Sequence, residues 1–196
     1  MGASPPNPQS IRTRKKGQMT VWIALLRAVN VSGVNRLPMA EFRGVLEGLG
    51  YEGARTYIQS GNAVFRSARA APQIATEIAD AVHARFGFRP PVLMLTRTAL
   101  AAAVAGNPWA GEPGDKVHVF FMDRELPRAT GDFLKSVAAP GESYRWQGKV
   151  LWLHLPDGIG RSKLAHRVMN LPIDITARNM RSAEAILALA TKLEET

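Results

Sequence analysis

The chain has 196 residues, 46% of them hydrophobic, and a formal net charge of +9 at pH 7; that is enough apolar content for ordinary globular cores, in one large domain or two small ones. It has no cysteine, which excludes disulfides and thiolate metal sites, and its four histidines, His83, His118, His154 and His166, show no ligand-like spacing, so no metal or other cofactor is expected. No apolar run reaches the roughly 18 residues of a membrane span, and the first eighteen residues lack a signal peptide's apolar centre, so the default location is the cytoplasm, with no membrane partner.

Residues 1–18 hold Arg12, Arg14, Lys15 and Lys16 and no acid, supplying +4 of the +9 and leaving +5 for the remainder. They read as a disordered basic leader, or as an upstream start with the native chain beginning at Met19. From Thr20 the strand-like "TVWIALLR" enters a Gly/Asn loop, "AVNVSGVNRL", and then a helix from about Pro38 to Leu49, opened by proline and closed by Gly50. Strand "ARTYIQS" turns at Gly61-Asn62 into "AVFRS"; a helix over "PQIATEIADAVHARF" stops at Gly87; "PVLMLT" is a fourth strand, and "TALAAAVAG" a further helix. Asn107 to Asp115, "NPWAGEPGD", is dense in glycine and proline and reads as a linker.

Beyond it the same order returns. Strand "KVHVFFM" precedes a helix near "TGDFLKSVA"; "SYRWQ" turns at Gly148-Lys149 into "VLWLHL"; "SKLAHRVM" is helical, "DITAR" is a short strand, and "SAEAILALATKLEE" closes as an amphipathic helix. The two hairpins, "YIQSGNAVF" and "YRWQGKVLW", share their tyrosine, glycine and terminal aromatic. A period of this kind reads as a duplicated βαββαβ unit, the ferredoxin-like or split βαβ arrangement. The expected fold is α+β, with a leader at 1–18, a first half at 19–106, a linker at 107–115 and a second half at 116–196.

Each half would have a four-stranded antiparallel sheet with helices on one face, leaving the other face to find cover or meet solvent. In the second sheet, alternation suggests a helix-facing side of Val117, Val119 and Phe121 with Leu151, Leu153 and Leu155. The opposite side would carry His118, Phe120, Trp152 and His154, either as a base-stacking platform or, since exposed apolar patches of this size are unusual, as a patch buried against the other half or a second copy.

Ligand-type residues are densest in "RAVNVSGVNRL", where Arg27, Asn30, Ser32, Gly33, Asn35 and Arg36 combine charge, neutral hydrogen-bonding groups and a backbone free to approach a ligand. The loop matches neither GxxxxGK[ST] nor GxGxxG, and Asn35 and Gly33 could equally serve only to cap the helix and turn the chain. Gln59, Ser60 and Asn62 add donors and acceptors at the first hairpin, and Ser60 has no base nearby to activate it. Treating the first and third strands as parallel puts this hairpin and the Arg27–Arg36 loop at opposite ends of the sheet. Arg178 and Asn179, at the mouth of the last helix, could supply a second anion contact. No catalytic residue stands out.

The blocks "IALLRAVNVSGVNRLPMAEFRGVLEGLGY", "RTYIQSGNAVF", "SKL" and "TARNMRSAEAI" resemble those of the bacterial domain-of-unknown-function family numbered 1697, from Met19 to the end of the chain. The resemblance implies a cytoplasmic protein of ferredoxin-like halves and no assigned reaction. The chain departs from the family's usual RGINVGG at Ala28, Val29 and Ser32, and from its usual TARNW at Met180. The first functional expectation is a non-catalytic binding protein for a small phosphate- or carboxylate-bearing ligand or a nucleic acid. The alternatives are an enzyme acting on a small anionic metabolite, for which Glu41 and Tyr57 are the nearest titratable groups, and a module that homodimerises through an open sheet face.

Overall fold

The computed structural model describes residues 19–31, 33–127 and 130–196, so the basic leader and Ser32 lie outside the described residues. The elements run β1 (Thr20–Leu26), α1 (Met39–Gly48), β2 (Glu52–Tyr57), β3 (Asn62–Ser67), α2 (Ala71–Phe86), β4 (Val92–Thr96), α3 (Arg97–Ala105), β5 (Val117–Met122), α4 (Thr130–Val137), β6 (Ser143–Gln147), β7 (Val150–His154), α5 (Lys163–Met169), β8 (Ile175–Asn179) and α6 (Met180–Glu194), with a 3-10 turn at Ile159–Arg161. They form an α+β molecule with two four-stranded antiparallel sheets, ordered β2-β3-β1-β4 and β6-β7-β5-β8. Helix starts follow local chemistry: Thr96, Ser162 and Asn179 each accept a bond from the backbone N–H three residues on, at 3.1, 3.0 and 2.9 Å, opening α3, α5 and α6. Gly87, at φ +78°, closes α2.

Helices α1 and α2 cover one face of the first sheet, packing Phe42, Leu46, Ile74, Ile78 and Val82 onto Ala24, Leu26, Ala63 and Phe65. Helices α4 and α5 cover the outer face of the second sheet, where Leu134, Leu164 and Val168 meet Phe120, Leu151 and Leu153. The remaining two faces share one core: Val21, Ile23, Leu25 and Val64 of the first sheet, Val117, Val119, Phe121 and Trp152 of the second, and the apolar sides of α3 and α6. Helix α6, from the end of the chain, lies against β1, β2 and β3 as well as β5 and β8. Trp152 Nε1 donates to Ala103 O of α3 at 3.0 Å across this layer.

Two expectations are corrected. Val119 lies opposite Trp152 and Phe120 opposite Leu151, and directly opposed residues share a face, so Trp152 belongs with Val117, Val119 and Phe121 on the inner side. His118 and Phe120 lie with Leu151 and Leu153 on the helix side. Each strand's alternation is as read; the pairing of faces between strands is not. Second, β1 pairs with β3 antiparallel, Leu25 opposite Asn62, so the loop after β1 and the β2–β3 hairpin leave the same end of the sheet and touch. The Gly/Pro-rich stretch 107–115 is tied down: Trp109 stacks on His154 with ring centroids 5.9 Å apart, and Gly114 O accepts from Arg181 N at 3.2 Å. Among the described residues no helix is long and apolar enough to cross a membrane.

Candidate ligand-binding cleft

The loop after β1 closes on itself. Asn30 donates through Nδ2 to Leu37 O (2.9 Å) and Gln59 O (2.8 Å) and accepts from Leu37 N (2.8 Å), while Asn35 Nδ2 donates to Ala28 O at 2.8 Å. Ala28, Asn30 and Asn35 all hold left-handed φ, at +56°, +54° and +52°, and Ile58 in the adjoining hairpin sits at +45°. Non-glycine residues persist there only where surrounding bonds hold them, and the two asparagine side chains supply those bonds. Gly33 and Arg36 are exposed on the outside of the loop.

The hairpin has a different partner. Leu26 N donates to Gly61 O at 2.8 Å, and Gly61, at φ +69°, has no room for a side chain: a Cβ would stand 2.6 Å from Val29 Cγ2 and 2.8 Å from Leu26 Cβ. This turn brings the fully buried Asn62 onto the inner face of the sheet. Its Nδ2 donates to Tyr57 O (3.1 Å) and Ser60 Oγ (2.9 Å), and its Oδ1 accepts from Nε of Arg178, which reaches across from β8.

Arg178 makes four further bonds, to Thr176 Oγ1 (2.9 Å), Ala177 O (2.6 Å), Leu26 O (3.0 Å) and Ser60 O (3.0 Å). A guanidinium has five N–H groups, so every one is committed, and none of the five acceptors is a carboxylate. Burial pushes its pKa down to about 10, which leaves it charged at neutral pH. Arg178 thus acts as a tie between the two halves. Asn179 caps α6 by accepting from Ser182 N.

Arg27 faces elsewhere. Its N–H reaches Pro91 O at 3.0 Å, and its Nη2 donates to Met169 O at 2.9 Å, at the end of α5. It lies at the rim of a cleft of about 570 Å³ between the two halves, walled by Leu25, Leu93 and Leu95 on one side and Phe121, Val150 and Ile175 on the other. Lys149, exposed at the turn of the second hairpin, also lines it and donates from Nζ to Asp123 O at 2.8 Å. Two acids share the rim. The Asp123 carboxylate accepts from Arg124 Nε (3.1 Å) and Asp174 N (3.1 Å), while Asp174 is exposed. Apolar walls with two cations among the lining residues suit an anionic head on an apolar body.

The residues expected to bind a ligand therefore fall into three places. Ser60, Asn62 and Arg178 meet at the seam between halves, with Asn179 beside them at the α6 cap; Arg27 lies in the cleft; and Asn30, Gly33, Asn35 and Arg36 lie in the loop after β1, where Asn30 bonds the backbone of the exposed Gln59. The sequence signal for Lys149 was its place directly after Gly148, the turn glycine of the second hairpin. Among the described residues no group of three or more His, Asp or Glu side chains could hold a metal ion.

A solved structure of a conserved bacterial protein from Streptococcus pneumoniae is similar over 88% of this chain and 99% of its own, with a TM-score of 0.70 and 23% identity, a likeness of fold. No curated protein matches the sequence. The profile of one family matches residues 19–152, and on that match the chain belongs to the family described as "Protein of unknown function (DUF1697)".

Proposed function

We propose that the chain is a non-catalytic binding protein for a small ligand bearing a carboxylate or phosphate on an apolar body, and that the cleft between its halves is the site. The observation that carries this reading is the 570 Å³ space with apolar walls and Arg27 and Lys149 at its rim, a volume in the usual range for small-molecule sites. Arg27 and Lys149 contact the anion. Asn30, Asn35, Asn62 and Arg178 hold the walls in place and do not touch it. The strand orders 2-3-1-4 and 6-7-5-8 support reading each half as a ferredoxin-like unit and the pair as an internal duplication. Support for a nucleic-acid ligand is weaker, because Trp152 and Phe120, which would have to stack on bases, are 3% and 0% exposed.

Isothermal titration with octanoate, octyl phosphate and octanol tests the reading. The two anions bind and the alcohol does not; Lys149→Ala and Arg27→Met each weaken the anions about tenfold, on the order of one charge-assisted hydrogen bond, and Asp174→Asn strengthens them. Equal binding of octanol and octanoate, or no effect of the cation substitutions, refutes it.

A further inference from the structure

Both sheets end in open strands, and natural proteins blunt such edges with charges, bulges or cover. β2 carries Glu52 and Arg55 with a register shift between them; β6 carries Arg145; β8 carries Arg178. β4 reads VLMLT, without a charge and without a register shift. Four of its five residues border the cleft, Val92, Leu93, Met94 and Leu95.

The pairing shows which backbone groups are free. Arg27 N donates to Pro91 O, and the β1–β4 register continues from there through Leu25 opposite Leu93 and Ile23 opposite Leu95. In an antiparallel pair such residues alternate, so the N–H and C=O of Leu93 and Leu95 point to β1. Those of Val92 and Met94 point outward into the cleft, unpaired among the described residues.

The cleft also wraps both faces of this edge. Leu93 and Leu95 look toward Phe121 and Val150 on the inner side, and Met94 lies with Ala71 and Pro72 of α2 on the outer. An alkyl chain needs one apolar wall, whereas a strand, whose side chains alternate, needs one on each side.

On the reading above, that this cleft binds an anionic ligand, we propose that its ligand is the C-terminal segment of an extended peptide, which adds to the first sheet as a fifth strand along β4. Its carboxylate lies at the Pro91 end, on Arg27, so the peptide runs antiparallel to β4, as β1 does on the other side. Val92 and Met94 exchange up to about four backbone hydrogen bonds with it, and β4's length accommodates about four residues at ~3.4 Å each.

The test is fluorescence anisotropy on the full chain with a labelled pool of pentapeptides, apolar at alternate positions and randomised elsewhere, as free acids and as C-terminal amides. The free-acid pool binds at least tenfold tighter than both octanoate and the amide pool, and N-methylation at the residues facing β4 removes the gain. Proline is tolerated at an edge position whose N–H points outward, so Met94→Pro keeps the parent's circular dichroism and cooperative melt but loses peptide at least tenfold, while Met94→Ala keeps it within about threefold, the equivalent of less than 1 kcal/mol. Octanoate binding with no gain for peptides overturns this inference and leaves the small-anion reading standing; failure of both probes overturns both. Equal binding of acid and amide overturns the orientation and the inference with it. A dimer in light scattering that Leu93→Lys dissociates, without peptide binding, assigns the edge to a second copy, and a pool that binds only after removal of residues 1–18 assigns it to that leader; either overturns the proposal.

Discussion

Substituting Arg178 by lysine keeps the charge and most of the length, so it isolates the value of five simultaneous hydrogen bonds. An ammonium has three donors, so at least two of Asn62 Oδ1, Thr176 Oγ1 and the carbonyls of Leu26, Ser60 and Ala177 are left unpaired in a site where Asn62 is fully buried and Arg178 only 8% exposed. A buried unsatisfied group costs about 1–3 kcal/mol, so Arg178→Lys should destabilise the chain by about 3 kcal/mol. Arg178→Met, which abandons all five acceptors, should cost about 4 kcal/mol or more. Asn62→Leu leaves Nε of Arg178 without its acceptor. Because the two side chains share that bond, the double substitution Asn62→Leu with Arg178→Met should fall short of the sum of the singles by at least 1 kcal/mol. Urea unfolding at pH 7 measures all of these. If Arg178→Lys stays within about 0.5 kcal/mol of the parent, the range of an ordinary surface change, the five-bond tie is wrong.

His118, buried under the helices of the second sheet with Nδ1 unpartnered, has its pKa lowered by burial from 6.5 to about 4. The folded state therefore resists protonation, and the associated stability is present above pH 6.5 and lost as pH falls toward 4, about 3 kcal/mol across that window; urea midpoints at pH 7 and pH 4 should show this loss in the parent and less of it in His118→Leu. At Gly61 a methyl meets Val29 and Leu26 within 2.8 Å at φ +69°, whereas at Gly33, with φ +78°, it meets nothing within 4 Å. Gly61→Ala should cost about 2–4 kcal/mol, strain plus overpacking, and Gly33→Ala about 1 kcal/mol, strain alone; equal thermal shifts for the two would refute the contact argument.

The order of strands and helices was legible because periodicity and punctuation are local: proline opens the first helix, Gly87 ends the second, and VLMLT stands out as a strand. What failed was relative placement. Alternation sorts each strand into two faces but leaves open which face of one strand lies beside which face of the next. The β5–β7 register, Val119 opposite Trp152, links residues 33 positions apart, with nothing local to fix it. The antiparallel relation of β1 to β3 was recoverable, since a crossover followed by a hairpin imposes it. The cleft was not, because its walls come from β1, β4, β5, β7 and β8. Lys149 was visible as the residue after a turn glycine, but nothing nearby in sequence gave it a role.

The two sheets correspond position by position, and the correspondence explains why the cleft exists. Asn62 lies opposite Leu25 in the first sheet, and Val150 lies opposite Phe121 in the second. Arg178 lies opposite Val119 and Leu95 opposite Ile23, each one residue before the cap of the helix that follows. The matching positions are therefore Asn62 with Val150 and Arg178 with Leu95. On one side of the molecule the pair is Arg178 and Asn62, and the long guanidinium crosses the gap between halves and closes it. On the other side the pair is Leu95 and Val150, both of which line the cleft. A leucine is too short to span the distance an arginine spans and has no donor to offer the facing carbonyls, so the seam there stays open. Ser60 and Asn62, which set the first hairpin apart from the second, thus have a structural role as one half of the closed seam, and the seam that lacks them is the one that stays open.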